Sequence, residues 1–252
     1  MSENRVDTEV DQLRQKYGLT VVLKASPFIV DCHDGRIHGK EADSKNFDSY
    51  WPLFWSEWNL YPSELVKQTR LERIYLCEGL EFENTALGWP PQERTALPDF
   101  EHHDLYLDIS RGHENILYVR KVIHHEFFHI IDFCMNGLAE HDPEWEGLND
   151  PSTFKYGGGG ELFQNHQSTS VLSEDRRGFL NEYSTSKVIE DKAEIFANMV
   201  AEDRNVIQQR SDIGIIKQKI QKMEERLKNF CPQLDKQFWE MAGTVDRRAR
   251  VA

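Results

Sequence analysis

The segment from residue 116 to 135 constrains this chain more than any other. Its central part runs Tyr118-Val-Arg-Lys-Val-Ile-His-His-Glu-Phe-Phe-His-Ile-Ile-Asp-Phe-Cys-Met135. At 3.6 residues per turn, Val119, Val122, Ile123, Phe127, Ile130, Ile131 and Cys134 make a helix that is apolar over most of its circumference, and such a helix is buried. Yet His125, Glu126, His129 and Asp132 form a polar stripe along it. Burying that many polar groups without partners costs several kcal/mol. The fold must therefore supply partners, either a metal ion with its surrounding hydrogen bonds or a set of hydrogen-bonded core histidines.

The spacing favours the metal. Histidines four apart on a helix leave the same face about 6 Å apart, and their ring nitrogens can converge on one zinc at ~2.1 Å. Glu126 adjoins the first of them and can reach water on the metal, which is the mechanical sense of H-E-x-x-H. A catalytic zinc needs a third protein ligand and an open position. The extended metzincin pattern asks for Gly at 132 and His at 135, whereas this chain has Asp132 and Met135. A glutamate on a later helix is the other common solution. Val188–Val200 offers one, with Glu190 and Glu194 four apart on a face of an otherwise largely apolar helix. One of them can bind metal while the other holds a ligand histidine. The spacing does not decide which, and a solvent-facing acidic face is the alternative. Asp132, one turn beyond His129, is a candidate to orient a histidine or a neighbouring backbone group. His102, His103 and His124 lie near in sequence with no role assigned.

His125-Glu-Phe-Phe-His129, followed about sixty residues later by Glu182-Tyr-Ser-Thr-Ser-Lys-Val-Ile-Glu-Asp-Lys-Ala-Glu-Ile-Phe-Ala197, resembles the gluzincin-type metallopeptidases of the anthrax lethal factor-like group. It also resembles related zinc-binding bacterial peptidases with an E-D-x-A-E-x-F-A motif. In lethal factor-like domains a tyrosine lies seven residues before the liganding glutamate, as Tyr183 lies before Glu190 here. The resemblance implies one zinc per chain held by His125, His129 and Glu190. Glu194 then supports a ligand histidine, Glu126 is the general base for a zinc-activated water, and Tyr183 assists the transition state. It reaches from about Arg73 to Met199 and gives a reaction class, peptide-bond hydrolysis, without a substrate. A catalytically inactive zinc-containing binding protein and a zinc hydrolase of non-peptide amides are the alternatives.

The rest of the chain fills in around this. With 252 residues, one domain is expected: a helical and aromatic segment over 1–70, a catalytic core over about 71–202 and a C-terminal helix over 212–242. Residues 5–17 predict an amphipathic helix, and Tyr50–Gln68, dense in aromatics, a helix packed on a core. Asp31–Asn46 is polar and loop-like; its Cys32, His33 and His38 are solvated loop residues or, less simply, metal donors. Arg73–Cys77 and Asp104–Ile109 predict strands, Gly88–Pro98 a loop, and Gly137–Gly178, with its Gly157–Gly160 run, a mobile connection. The order of elements predicts an α+β fold with a small antiparallel sheet; the resemblance makes it zincin-like, with one helix carrying the H-E-x-x-H and a second the glutamate. By that analogy the edge of the Asp104–Ile109 strand could align an extended peptide. A net charge of −13 opposes nucleic acid and anionic membranes as partners, leaving a protein or peptide substrate; the oligomeric state is open. The N-terminus lacks the apolar core of a Sec signal, and Cys32, Cys77, Cys134 and Cys231 are widely spaced, so a cytoplasmic protein with reduced thiols, or export without a cleaved signal, is expected.

Overall fold

In the computed structural model the described residues are 3–23, 25–150, 154–157, 178–201 and 214–244; they form two compact units, one up to Glu114 and one from Asn115 onward. The sequence shows no boundary at that point. No described helix is long and apolar enough to cross a membrane, and none of the four cysteines is in a disulfide.

The first unit begins with α1 (Glu3–Tyr17), β1 (Thr20–Val22) and a hairpin of β2 (Phe28–Cys32) and β3 (Gly35–Glu41). Next come α2 (Ser44–Trp58), α3 (Ser63–Gln68), and strands β4 (Arg73–Glu83), β5 (Gln92–Glu93), β6 (Ala96–Asp99) and β7 (Asp104–Asp108). Trp51, Phe54, Trp58 and Tyr61 are buried as expected, and Glu9 of α1 accepts the Trp51 indole N–H at 2.7 Å.

The sheet differs from the small antiparallel one expected. It has seven strands and is mixed, in the order β2-β3-β4-β7-β6, with β1 and β5 also paired to β4. The long strand β4 is its spine. Along one edge it is parallel to β1 and then antiparallel to β3; along the other it is parallel to β7 and then antiparallel to β5. Two expected loops are strands. Asp31–Asn46 contains most of the hairpin, where Ile37 is buried between the more exposed Arg36 and His38; a single apolar residue there hid the alternation. Gly88–Pro98 contains β5 and the start of β6, and Pro98 is tolerated because β6 lies at the edge of the sheet. Strand β7 has no free edge, since β4 and β6 flank it, so the expected peptide alignment along it is ruled out.

Gly79 interrupts β4 at φ +62°, where the register against β3 slips by one residue between His38 and Lys40. The buried Asp108 carboxylate closes this bulge, accepting from the Leu80 amide at 2.9 Å and from Arg111 Nε at 3.0 Å.

The second unit opens with α4 (Ile116–Asn136), capped by Asn115, whose side chain accepts from the Tyr118 amide at 3.1 Å. Gly137, at φ +67°, ends it. The short α5 (Pro143–Glu146), a 3-10 turn at Tyr183–Thr185 and α6 (Val188–Ala201) follow. The expected C-terminal helix is two helices, α7 (Gly214–Phe230) and α8 (Lys236–Thr244), divided at Cys231-Pro232 because proline cannot continue a helix. Most of the Gly137–Gly178 connection, including Gly158–Gly160, lies outside the described residues.

Two stability outcomes follow from these contacts. A methyl group at Gly79 would meet nothing nearer than Lys40 Cε at 3.8 Å, so the cost of Gly79→Ala is conformational; chemical denaturation should show a loss of ~1–2 kcal/mol. In the second unit, partial burial opposes ionisation of Asp142, but the Arg226 guanidinium and the Trp145 amide outweigh it and hold the carboxyl at about 2, below the usual 3.8. A depressed folded-state pKa gives stability that is present above the unfolded value and lost as pH falls through the folded one. The drop in melting temperature between about pH 4 and pH 2 should therefore be smaller in Asp142→Asn than in the wild type.

Candidate metal centre

Helices α4 and α6 lie against each other through Phe128 and Phe196, whose rings are 5.1 Å apart. That packing turns the polar stripe of α4 toward the acidic face of α6. His125 Nε2 is 3.0 Å from Glu190 Oε2 and 3.1 Å from His129 Nε2, and His129 Nε2 is 3.3 Å from the same carboxylate oxygen. In a tetrahedral site with bonds of ~2.1 Å, ligand atoms stand ~3.4 Å apart. The three separations approach that edge length.

The orientation of His125 supports a cation there. Its Nδ1 lies 2.9 Å from Glu194 Oε1, so the ring proton belongs on Nδ1 and is donated to that carboxylate. The Nε2 of the neutral ring then holds a lone pair facing the Glu190 oxygen. Two acceptors at 3.0 Å repel unless a positive charge lies with them. A metal ion supplies that charge; so does a second proton on the ring. The donor set therefore fits a divalent metal of the zinc type, with two imidazoles and a carboxylate as ligands. His125, His129 and Glu190 are the metal-capable cluster among the described residues.

The electrostatics agree. Burial, the largest influence on His125, opposes its charge, but Glu190 and Glu194 outweigh it and raise the imidazole well above its usual range. Burial likewise works to raise the Glu190 carboxyl, yet His129 and His125 hold it well below the usual value. Glu126 is raised by burial, against the pull of both histidines. Among the described residues no hydrogen bond or ion pair occupies its carboxylate.

Tyr183 stands in the turn just before α6, its ring centroid 5.9 Å from that of His125. Burial, followed by the nearby Glu190 and Glu126 carboxylates, raises its pKa well above the usual value. The hydroxyls that follow Tyr183 bond within the turn. The Thr185 and Ser186 hydroxyls donate to the Glu182 and Tyr183 carbonyls at 2.6 and 2.7 Å. Asn181 Oδ1 instead accepts from the Ser184 amide at 2.9 Å.

The remaining expectations divide. Glu194 Oε1 lies 2.9 Å from His125 Nδ1. Asp132 orients no histidine: its carboxylate is taken by Lys192 of α6 at 2.6 Å and by Asn136 at 2.8 Å. The missed signal is Lys192 itself, a lysine inside an apolar helix. His102 binds Asp99 within the first unit, and His33, His38 and Cys32 bind Asp34, Glu83 and the Gly35 carbonyl separately, so they form no metal site. Asn181 and Asn198, both on Glu194, were not foreseen. Asn198 is legible as the residue one turn beyond Glu194, whereas nothing in the sequence marks Asn181. A cavity of about 820 Å³ lies beside the first residues of α6, walled by Pro143, Phe154, Tyr156, Ser186, Val188 and Ile189; none of the metal-site residues lines it.

No protein-family model and no curated protein matches this sequence. A solved structure does share its fold. It is that of a provisionally assigned zinc-binding metallo-peptidase from Bacteroides caccae, with a TM-score of 0.56 over 98% of this chain and 97% of that one, at 15% identity. At that identity the likeness extends to the fold alone.

The two glutamates differ in what they touch, so their removal should differ in kind. Glu190→Ala should leave the protein unable to retain zinc through gel filtration. Glu194→Ala should weaken zinc affinity ~10–100-fold without abolishing it, as read by competition with a chromophoric chelator. The reverse order would exchange their roles.

Proposed function

We propose that the protein is a zinc-dependent metallopeptidase of the gluzincin type, hydrolysing peptide bonds of a protein or peptide substrate. The observation that carries this reading is the Glu194-oriented His125, whose Nε2 converges with His129 Nε2 and Glu190 Oε2 beside a half-buried Glu126 carboxylate that makes no hydrogen bond or ion pair among the described residues. A structural metal site has no use for a free carboxylate at that position.

When bound, zinc supplies a Lewis acid that polarises a carbonyl and lowers the pKa of water toward ~7. The residues do the rest. Glu126, whose pKa burial raises toward the working range of a general base, accepts a proton from the attacking water and passes it to the leaving amine. Tyr183, kept protonated by burial and by the nearby carboxylates, offers an O–H to the developing oxyanion.

Cleavage of an unbiased peptide library by the zinc-loaded protein, abolished by a chelator, tests the reading; zinc binding with no cleavage would leave the inactive binding protein. Glu126→Gln should keep its zinc and lose turnover, because the carboxamide is nearly isosteric but cannot take the proton. Tyr183→Phe should cut kcat ~10²–10³-fold with KM and zinc content little changed. A kcat within ~3-fold of wild type would remove Tyr183 from the reaction.

A further inference from the structure

Asn181 connects the two functional ends of the centre. It is buried, and both ends of its carboxamide are used on different parts of the site. Its Nδ2 donates to Glu194 Oε2 at 2.6 Å, while its Oδ1 accepts from the Ser184 amide at 2.9 Å. Because only the NH₂ end can donate to a carboxylate, the amide orientation is fixed, and the oxygen must face the Ser184 N–H. Ser184 reciprocates: its hydroxyl donates to the Asn181 carbonyl at 2.6 Å and accepts from the Asn181 amide at 3.3 Å.

Each end bears on something different. Glu194 presents Oε1 to His125 Nδ1, and the direction of that carboxylate is set by what holds Oε2. Asn198 is a poor anchor, at 3.5 Å from Oε2, and its Nδ2 also donates to the Glu194 backbone carbonyl at 2.8 Å. Asn181 is the short contact. At its other end, Ser184 is the central residue of the turn that starts at Tyr183. The direction in which the phenol leaves the backbone is therefore tied to the same carboxamide.

From this geometry we infer that Asn181 is a positioning residue that sets the His125 ring, through Glu194, and the Tyr183 hydroxyl, through Ser184, in one relative placement. The inference rests on the metallopeptidase reading for Tyr183, but its Glu194 arm can be measured without activity.

Three variants separate the arms. Asn181→Asp keeps the acceptor toward Ser184 and sets a carboxylate against Glu194, so zinc affinity by chelator competition should fall ~10-fold or more. Ser184→Ala keeps the Ser184 amide bond to Asn181 Oδ1 but removes the hydroxyl that ties the turn to the Asn181 backbone, and it leaves the Asn181–Glu194 bond in place, so kcat should fall several-fold with zinc affinity unchanged. Asn181→Ala should do both. Its kcat loss should vanish, to within about twofold, when made in a Tyr183→Phe background, and its loss of zinc affinity should vanish in a Glu194→Ala background. Additive losses in those backgrounds, or unchanged zinc affinity in Asn181→Asp, would overturn the inference. If Asn181→Ala does not fold, the isosteric Asn181→Asp and the remote Ser184→Ala still decide it. A wild-type protein with neither zinc nor cleavage would instead overturn the metallopeptidase reading and leave the Asn181 contacts without this function.

Discussion

Two acceptors held 3.0 Å apart in a largely dry site, His125 Nε2 and a Glu190 oxygen, are the arrangement on which the second unit depends. Neither can satisfy the other. The Glu194 contact removes the easy solution, a proton moved to Nε2 from Nδ1, by committing that proton elsewhere. Only an added positive charge makes the arrangement favourable, and either a metal ion or a second proton on the His125 ring provides one. The surrounding structure keeps the requirement in place. Phe128 against Phe196 fixes the spacing of α4 and α6, and Asn181 and Asn198 fix the carboxylate that fixes the ring. The site is built from the outside inward, each contact fixing the one nearer to His125.

The parts of this that were legible in the sequence are those governed by helical period. Four-residue spacing on α4 and again on α6 placed His125, His129, Glu190 and Glu194 on facing stripes, because both helices are apolar around the rest of their circumference. What periodicity cannot convey is which residue from elsewhere meets a given polar group. Asp132 looked like a partner for a histidine because it continues the stripe of His125 and His129, but Lys192 reaches it first. Asn181 carries no period at all, since its two partners are 3 and 13 residues away and only the fold brings all three together. The sheet was least legible. Its hairpin is half polar, and a strand flanked on both sides, such as β7, shows the same alternating pattern as an edge strand when only its neighbours in sequence are known.

The succession Glu190-Asp191-Lys192 on α6 shows how the helix is held at the rotation the centre needs. Successive residues leave a helix about 100° apart, so these three side chains face three directions. Glu190 meets the histidines. Asp191, fully buried, accepts from Trp145 Nε1 at 2.8 Å, Tyr156 at 2.7 Å and Lys219 at 2.6 Å. Lys192, also buried, pairs with Asp132 at 2.6 Å and lies 3.4 Å from Asp142. Turning the helix by one residue would bring Asp191 to the metal position, Lys192 to Lys219, and leave Asp132 buried without a cation.

Buried ion pairs of this kind add little net stability, because taking each charge out of water costs about as much as the pairing returns. Burial indeed lowers the Lys219 pKa despite the Asp191 contact. Mispairing is another matter, since a buried charge left without its partner costs ~3–5 kcal/mol. Two such pairs, on two sides of α6, therefore penalise every rotation but one. Apolar residues of similar volume would pack as tightly without that discrimination, because an apolar surface tolerates rotation through several near-equivalent packings. The Glu190 carboxylate meets both histidines at one rotation of α6, and hydrophobic packing alone does not specify that rotation. The charges on the other faces of α6 supply the missing specification, so the precision of Glu190 at the centre depends on residues that never touch it.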